Sequence, residues 1–414
     1  MTRERKWNKN LIWASAVGIV TMIGLCLRWR GIGYESGDFR SCLSLWMDDL
    51  KSGNGLQVLA AYNGDYNMPY VTVLWLLTFL PVEPLVSIKG FSILFDIVCA
   101  AAGGALAAVC AKGGKSEKSE KDGSIFTLTY ALIFLSPVAI LNSGYWGQCD
   151  SVYTAFVLLA FLCLVREKIP LCMIFWGCAF AFKLQAVFAF PVLLLYYWKN
   201  RKFSFVYFLL IPVVMEMLCL PAIIGGCSPW VTFSVYLSQM KTFPEMYYFY
   251  PNFWTFFQDI PYYIFGKMAV TGTLVLLLLL ALFILRKETR LDAGNLMPNL
   301  CCIVMTVLCF LPCMHERYGY TLEMAVIVWA VTDKKKWWMP VFLQLITTMM
   351  YAPGIVGQYL VDARILAVCY LLVYGLLIYG RIREWSGREE AVKEKEKEKE
   401  KEKEKEKAEV CGHV

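Results

Sequence analysis

Apolar runs of membrane-spanning length alternate with short basic loops along most of the chain. The first run occupies about residues 11–27, behind Arg3, Arg5, Lys6 and Lys9. Short loops rich in Lys and Arg mark the cytoplasmic side, so the pattern predicts an inside N-terminus and a chain that emerges near residue 28. No small-residue cleavage site follows the run, since Cys26-Leu27-Arg28-Trp29-Arg30 is unsuitable. It reads as a retained signal anchor.

Later runs predict spans at about 88–111, 124–141, 151–165, 204–224, 264–285, 299–312, 337–356 and 363–380, with one more that ends at Lys334 to Lys336. Between Ile169 and Trp198 the apolar sequence is interrupted by Lys183 and Gln185. That predicts two short helices meeting near the outer side. The chain returns to the basic side at Lys112, Lys115, Lys118 and Lys121, then at Arg166 and Lys168, and at Lys199, Arg201 and Lys202. It does so again at Arg286, Lys287 and Arg290, at Lys334 to Lys336, and at Arg381 and Arg383. The expectation is an all-α polytopic integral membrane protein of about twelve helices, with both termini cytoplasmic.

Three regions follow: a basic N-terminus at about 1–10, a membrane domain at about 11–384, and a tail at about 385–414. The first two spans are separated by an outer segment, about residues 28–85. Within it Tyr70 to Leu80 is apolar and aromatic, too short to span, and bounded by Pro69 and Pro81. This predicts an interfacial helix lying on the membrane.

Composition agrees with the pattern. Hydrophobic residues make up 58% and charged residues 18%, against about 45–50% and about 25% in soluble domains. From Lys393 to Lys407 the tail alternates eight lysines with seven glutamates, so nearly all of the +7 net charge belongs to the rest of the chain. That excess reads as topology and not as nucleic-acid binding. Most of the 16 cysteines lie inside apolar runs and none forms a metal-spaced cluster with histidine, which fits buried thiols packing as small hydrophobes.

Polar groups on the expected outer side carry the candidate chemistry. Ser36-Gly37-Asp38-Phe39 and Gly64-Asp65-Tyr66 place carboxylates beside membrane helices. Each Asp also has a bland reading, as a helix cap or a turn residue. Tyr145-Trp146-Gly147-Gln148-Cys149-Asp150 mixes aromatic faces with hydrogen-bonding groups, as a sugar pocket or an aromatic belt would. Lys183 is an ionisable group amid apolar helices, suited to a phosphate near the membrane surface or to snorkelling. Met314-His315-Glu316-Arg317-Tyr318 offers donors that suit a phosphate, and Arg binds one bidentately. A divalent metal is not required by these residues, although Asp38 and Asp65 could share one.

Taken together the strings resemble the GT-C class of membrane glycosyltransferases. More narrowly, the chain looks like bacterial proteins related to the GPI-anchor second mannosyltransferase. The resemblance rests on Ser36-Gly37-Asp38-Phe39, Gly64-Asp65-Tyr66 with Pro69, Trp146 to Ser151, Phe182-Lys183-Leu184-Gln185-Ala186 and Met314 to Tyr318, in family order over about residues 10–380. A more distant similarity runs to the glucosyltransferases that extend the lipid-linked N-glycan precursor. There Asn252-Phe253-Trp254 matches an Asn-Phe-Trp string and His315-Glu316-Arg317 a His-Glu-Lys string, while Asn67-Met68-Pro69 stands where those enzymes have a double proline.

The resemblance implies an inverting transfer of a hexose, mannose favoured, from a polyprenyl-phosphate sugar to an envelope glycan, glycolipid or protein. It makes Asp38 the base. Asp65, Tyr66, Trp146, Gln148 and Asp150 would position the acceptor or sugar, and Lys183, Gln185, His315, Glu316 and Arg317 would hold the donor phosphate. The active site would face outward from the cell membrane. The competing readings are a secondary transporter and a lipid-linked glycan flippase. Against the first, the chain shows no second copy of the Lys183 break or of the acidic outer segment.

Overall fold

A computed structural model of the protein describes residues 3–114, 121–242, 244–286 and 291–411. Lys115, Lys118, Lys287 and Arg290 of the basic loops lie outside the described residues. All regular structure among those described is helical.

The first long helix, α1 (Arg3–Trp29), runs into an outer segment of three short helices, α2 (Ser44–Ser52), α3 (Gln57–Ala61) and α4 (Met68–Leu77). Next come α5 (Pro84–Cys110), α6 (Asp122–Phe134) and a short turn α7 (Pro137–Ala139), which opens into a wide turn of π type over Ile140–Trp146. Helix α8 (Asp150–Val165) leads to α9 (Ile169–Phe182). After α9 the backbone turns extended at Lys183, passes through a 3-10 turn at Leu184–Phe188, and resumes as α10 (Phe190–Asn200). This is the expected break.

Helices α11 (Leu210–Ile224) and α12 (Val231–Thr242) precede α13 (Tyr262–Ile284), α14 (Ala293–Phe310), α15 (Tyr320–Thr332), α16 (Trp338–Val356) and α17 (Ala363–Cys411), the last continuing through the Lys-Glu tail. Among the described residues seven helices are long and apolar enough to cross a membrane. An eighth span results if α6 and the bent segment after it are one, with a 48° bend at Ser136-Pro137. That bend has a physical cause, since Pro137 cannot donate into the α6 ladder. Helices α8, α9, α10 and α15 stand where further spans are expected but are shorter, at 11 to 16 residues. The chain is thus a polytopic helical membrane protein.

Helix α5 packs on α6 and α8, α8 on α9, and α9 on α11, while α14 packs on α13, α15 and α17. One large core joins these helices. A second cluster, with Leu43, Met47, Leu59, Val71, Leu74 and Val152 among its members, seats the outer segment on the bundle. Here the structure differs from the expected interfacial helix. Tyr70, Val71 and Leu74 of α4 are buried against protein, because α2, α9 and α11 offer an apolar cleft. Leu76 near its end, with Phe79, Leu80 and Val82 beyond it, presents an apolar edge outward.

The basic loops meet at one end of the bundle. Gly114 lies against Ala293, Lys202 pairs with Glu167 at 2.7 Å, and Asn200 donates to the Leu291 carbonyl at 3.0 Å. Arg381 donates to Asn299 Oδ1 at 3.1 Å, and Lys336 pairs with Glu384 at 3.4 Å. The polar groups singled out as chemical gather separately, around Asp38.

Candidate functional site

Asp38 opens a π-type turn over Phe39–Leu43, yet its side chain caps nothing. The capping falls to Ser36, whose Oγ accepts from the Phe39 amide at 3.2 Å and donates to the Trp146 carbonyl at 2.8 Å. Asp38 is therefore free to point elsewhere. Its Oδ2 accepts from Trp146 Nε1 at 3.0 Å and from Gln148 Nε2 at 2.5 Å, and Arg317 NH1 stands 3.4 Å away. Among the described contacts Oδ1 carries none, and the side chain is 41% exposed. The carboxylate is thus fixed through one oxygen and open through the other.

Each donor is itself held. Gly147 adopts a left-handed conformation (φ 79°) that a side chain would strain, and this reversal turns Trp146 and Gln148 to the same oxygen. The Trp146 ring lies edge-on to Tyr351 at 5.1 Å, and Arg317 stacks on it at 5.3 Å. Tyr66 donates to Gln148 Oε1 at 3.3 Å, which fixes the amide so that its NH2 faces Asp38. Burial raises the Tyr66 hydroxyl's pKa and keeps it a donor.

Lys183 sits at the break between α9 and α10, where its ammonium meets Asp150 Oδ1 at 2.5 Å. Asp150 is fully buried at the start of α8, and its other oxygen accepts from Asn142 Nδ2 at 2.9 Å. Gln185 lies beside the Tyr318 hydroxyl. His315 is packed between Tyr248 and Tyr318, with ring centroids at 4.2 and 5.0 Å. Burial, with the charges of Arg317 and Lys183, pushes its pKa down to about 3, so it is a neutral imidazole at neutral pH. Glu316 is buried beside Arg317 Nε at 3.3 Å, and burial raises its carboxyl above the usual range. Arg317 NH1 and Nε are buried without a hydrogen bond of good geometry.

Asn252 supports this loop from outside. It donates from Nδ2 to the Leu308 and Leu311 carbonyls, each at 3.2 Å, and Trp254 Nε1 donates to the Phe310 carbonyl at 2.6 Å. These donors satisfy the otherwise orphaned carbonyls at the end of α14 and fix the start of the His315-Glu316-Arg317 loop.

The structure therefore brings together Asp38, Tyr66, Trp146, Gln148, Glu316 and Arg317, with the Lys183–Asp150 pair at 6.0 Å from the Tyr66 ring. Two expectations change. Trp146, Gln148 and Asp150 do not line open space, because all three are buried. They hold Asp38 and Lys183 instead. Asp65 is exposed, and no described contact joins its carboxylate to Asp38. Among the described residues no three His, Cys, Asp or Glu side chains gather as metal ligands.

Several polar residues here were not anticipated. Arg28, Asp96 and Ser143 form a buried network beneath the site. Lys89, wholly buried, donates to the loop before Asp38. An ionisable residue within an apolar helix was the available signal for Lys89 and Asp96. No protein-family profile matches the chain, and no curated protein is a significant match.

Proposed function

We propose that this protein is an inverting glycosyltransferase that moves a hexose, mannose by preference, from a polyprenyl-phosphate sugar to a hydroxyl of an envelope glycan, glycolipid or protein. The observation that carries this reading is Asp38, fixed by Trp146 and Gln148 through Oδ2 while its side chain stays 41% exposed, beside a guanidinium whose NH1 and Nε make ion-pair contacts but no hydrogen bond of good geometry.

Asp38 takes the proton of the acceptor hydroxyl as its oxygen bonds to the anomeric carbon. The bond from that carbon to the phosphate oxygen breaks, and its electron pair leaves on the phosphate monoester. This leaving group needs charge stabilisation more than a proton. Arg317 supplies it through NH1 and Nε, Lys183 by shifting from Asp150 to the phosphate, and His315 and Gln185 as neutral hydrogen-bonding groups. Glu316 keeps Arg317 in place. Trp146, Gln148 and Tyr66 aim the base, and Asp65 meets the acceptor at the exposed rim.

A purely apolar groove of about 350 Å³ supports a lipid donor. Phe180 and Phe190, on the helices flanking the Lys183 break, line it with Phe208, Ile211, Met215 and Tyr236. We assign the end bearing the basic loops to the cytoplasm, with both termini, and the Asp38 end to the outer face of the cell membrane. In this arrangement α8, α9, α10 and α15 complete about twelve spans, and the edge at Leu76, Phe79 and Leu80 rests on the bilayer surface.

Purified protein in lipid nanodiscs, given polyprenyl-phosphate mannose or glucose and a panel of hydroxyl acceptors, should form a glycosylated product detectable by mass spectrometry. Envelope glycans from cells lacking the protein should lose one hexose-dependent species. No product with any donor, together with unchanged envelope glycans, would refute the reading.

A further inference from the structure

Lys89 is an ammonium buried in α5 without a carboxylate partner among the described contacts. Burying a cation in this way is costly unless its donors are satisfied. They are satisfied by two backbone carbonyls, Gly31 at 2.7 Å and Tyr34 at 2.6 Å. Both carbonyls belong to the turn that follows α1 and leads into Ser36-Gly37-Asp38, where the C-terminal end of a long helix favours a cation.

The stem of the same side chain faces the other half of the site. A Cβ on Gly147 would stand 3.5 Å from Lys89 Cγ and 3.6 Å from Cε. Gly147 lies between Trp146 and Gln148, the two donors to Asp38. One residue thus stands at both loops that must be in register, with its head hydrogen-bonded to the loop carrying the carboxylate and its stem a methyl group's width from the loop carrying the donors. Ser36 bridges the same two loops at 2.8 Å, but from the Asp38 side only.

We infer that Lys89 is a positioning residue, setting the Asp38 carboxylate against Trp146 Nε1 and Gln148 Nε2 by clamping the Gly31–Tyr34 turn to Gly147. The consequence for catalysis rests on Asp38 being the base, while the placement of Asp38 does not. A methionine at 89 keeps the stem and loses both hydrogen bonds. An arginine keeps a charge and donors that reach carbonyls.

The test is carbodiimide-amine labelling of the full chain in nanodiscs, with the Asp38 adduct quantified by peptide mass spectrometry. Glu35 and Asp65 serve as references. Lys89→Met should raise Asp38 labelling severalfold relative to both references, Gln148→Ala should do the same, and Lys89→Arg should stay near wild type. Unchanged Asp38 labelling in Lys89→Met would overturn the inference, and so would an equal rise at Glu35 and Asp65, which would mean general loosening of the outer segment. If Lys89→Met does not fold, Lys89→Gln, whose shorter amide cannot reach both carbonyls, tests the same clamp, with the same two outcomes decisive. Because labelling needs no substrate, failure to detect sugar transfer would count against the reading of the site and leave this result standing. Where transfer is measurable, Lys89→Met should lower kcat with little change in the donor KM.

Discussion

Two arginine–carboxylate pairs sit at the same end of this protein and are built in opposite ways. Arg28 and Asp96 are 0% and 1% exposed. Arg28 Nε and NH2 lie 2.8 and 2.7 Å from Asp96 Oδ2, and NH1 donates to the Gly24 and Phe134 carbonyls. Ser143 donates to the same carboxylate at 2.5 Å and Tyr320 at 3.2 Å. This pair staples α1, α5, α15 and the turn before Trp146. In the other pair, Arg317 stands 3.4 Å from an Asp38 whose side chain is 41% exposed. In the closed pair each guanidinium nitrogen has an acceptor within 2.9 Å, whereas Arg317 NH1 and Nε stand 3.4 and 3.3 Å from their carboxylates. A staple holds its groups tightly and out of solvent, whereas a site leaves its carboxylate within reach of a substrate. Exposure and contact distance separate the two where residue type does not.

Breaking each pair should separate stability from activity. Asp96→Asn leaves Arg28 buried without its counter-charge and should cost about 3–5 kcal/mol in thermal or denaturant unfolding. A stability like wild type would deny the staple. Gly354→Ala acts on the open pair through Trp146. An added Cβ would lie 2.4 Å from the indole, so the ring must leave the position from which it donates to Asp38. A displacement of that kind should reduce transfer by about 100-fold, and turnover within a factor of two or so of wild type would show that the indole is not aiming the base. Arg317→Lys keeps the charge but loses the planar fork, and should weaken polyprenyl-phosphate binding by about tenfold in a titration.

A further prediction concerns pH. The folded pKa of His315 is depressed from 6.5 to about 3. The unfolded chain therefore binds more protons across that window, and stability is lost as pH falls through it. His315→Asn should flatten the fall in melting temperature between pH 6.5 and 3. An unchanged slope would show that other groups carry it.

The sequence made the helices and the components of the open site legible, but it could not show how those components divide their work. The break at Lys183 and the His315 loop stand where residue type and spacing put them, because cation burial and short polar interruptions are local signals. What was hidden depends on partners far along the chain. Ser36 caps the turn and frees Asp38, a choice visible only once Trp146 is beside it. Lys183 pairs with Asp150 across 33 positions. Arg28 and Arg381 look like the loop cations that mark topology, yet both are buried with partners. Likewise, α4 is short, apolar and aromatic as an interfacial helix would be, but a cleft between α2, α9 and α11 buries much of it.

The most direct measurement is sugar transfer by purified Asp38→Asn, beside its affinity for polyprenyl phosphate. The asparagine keeps the shape and the contacts to Trp146 and Gln148 but cannot accept the acceptor's proton. The account predicts turnover lower by about a hundred- to ten-thousand-fold, with lipid-phosphate affinity and melting temperature close to wild type. Turnover like that of the unaltered protein would contradict it.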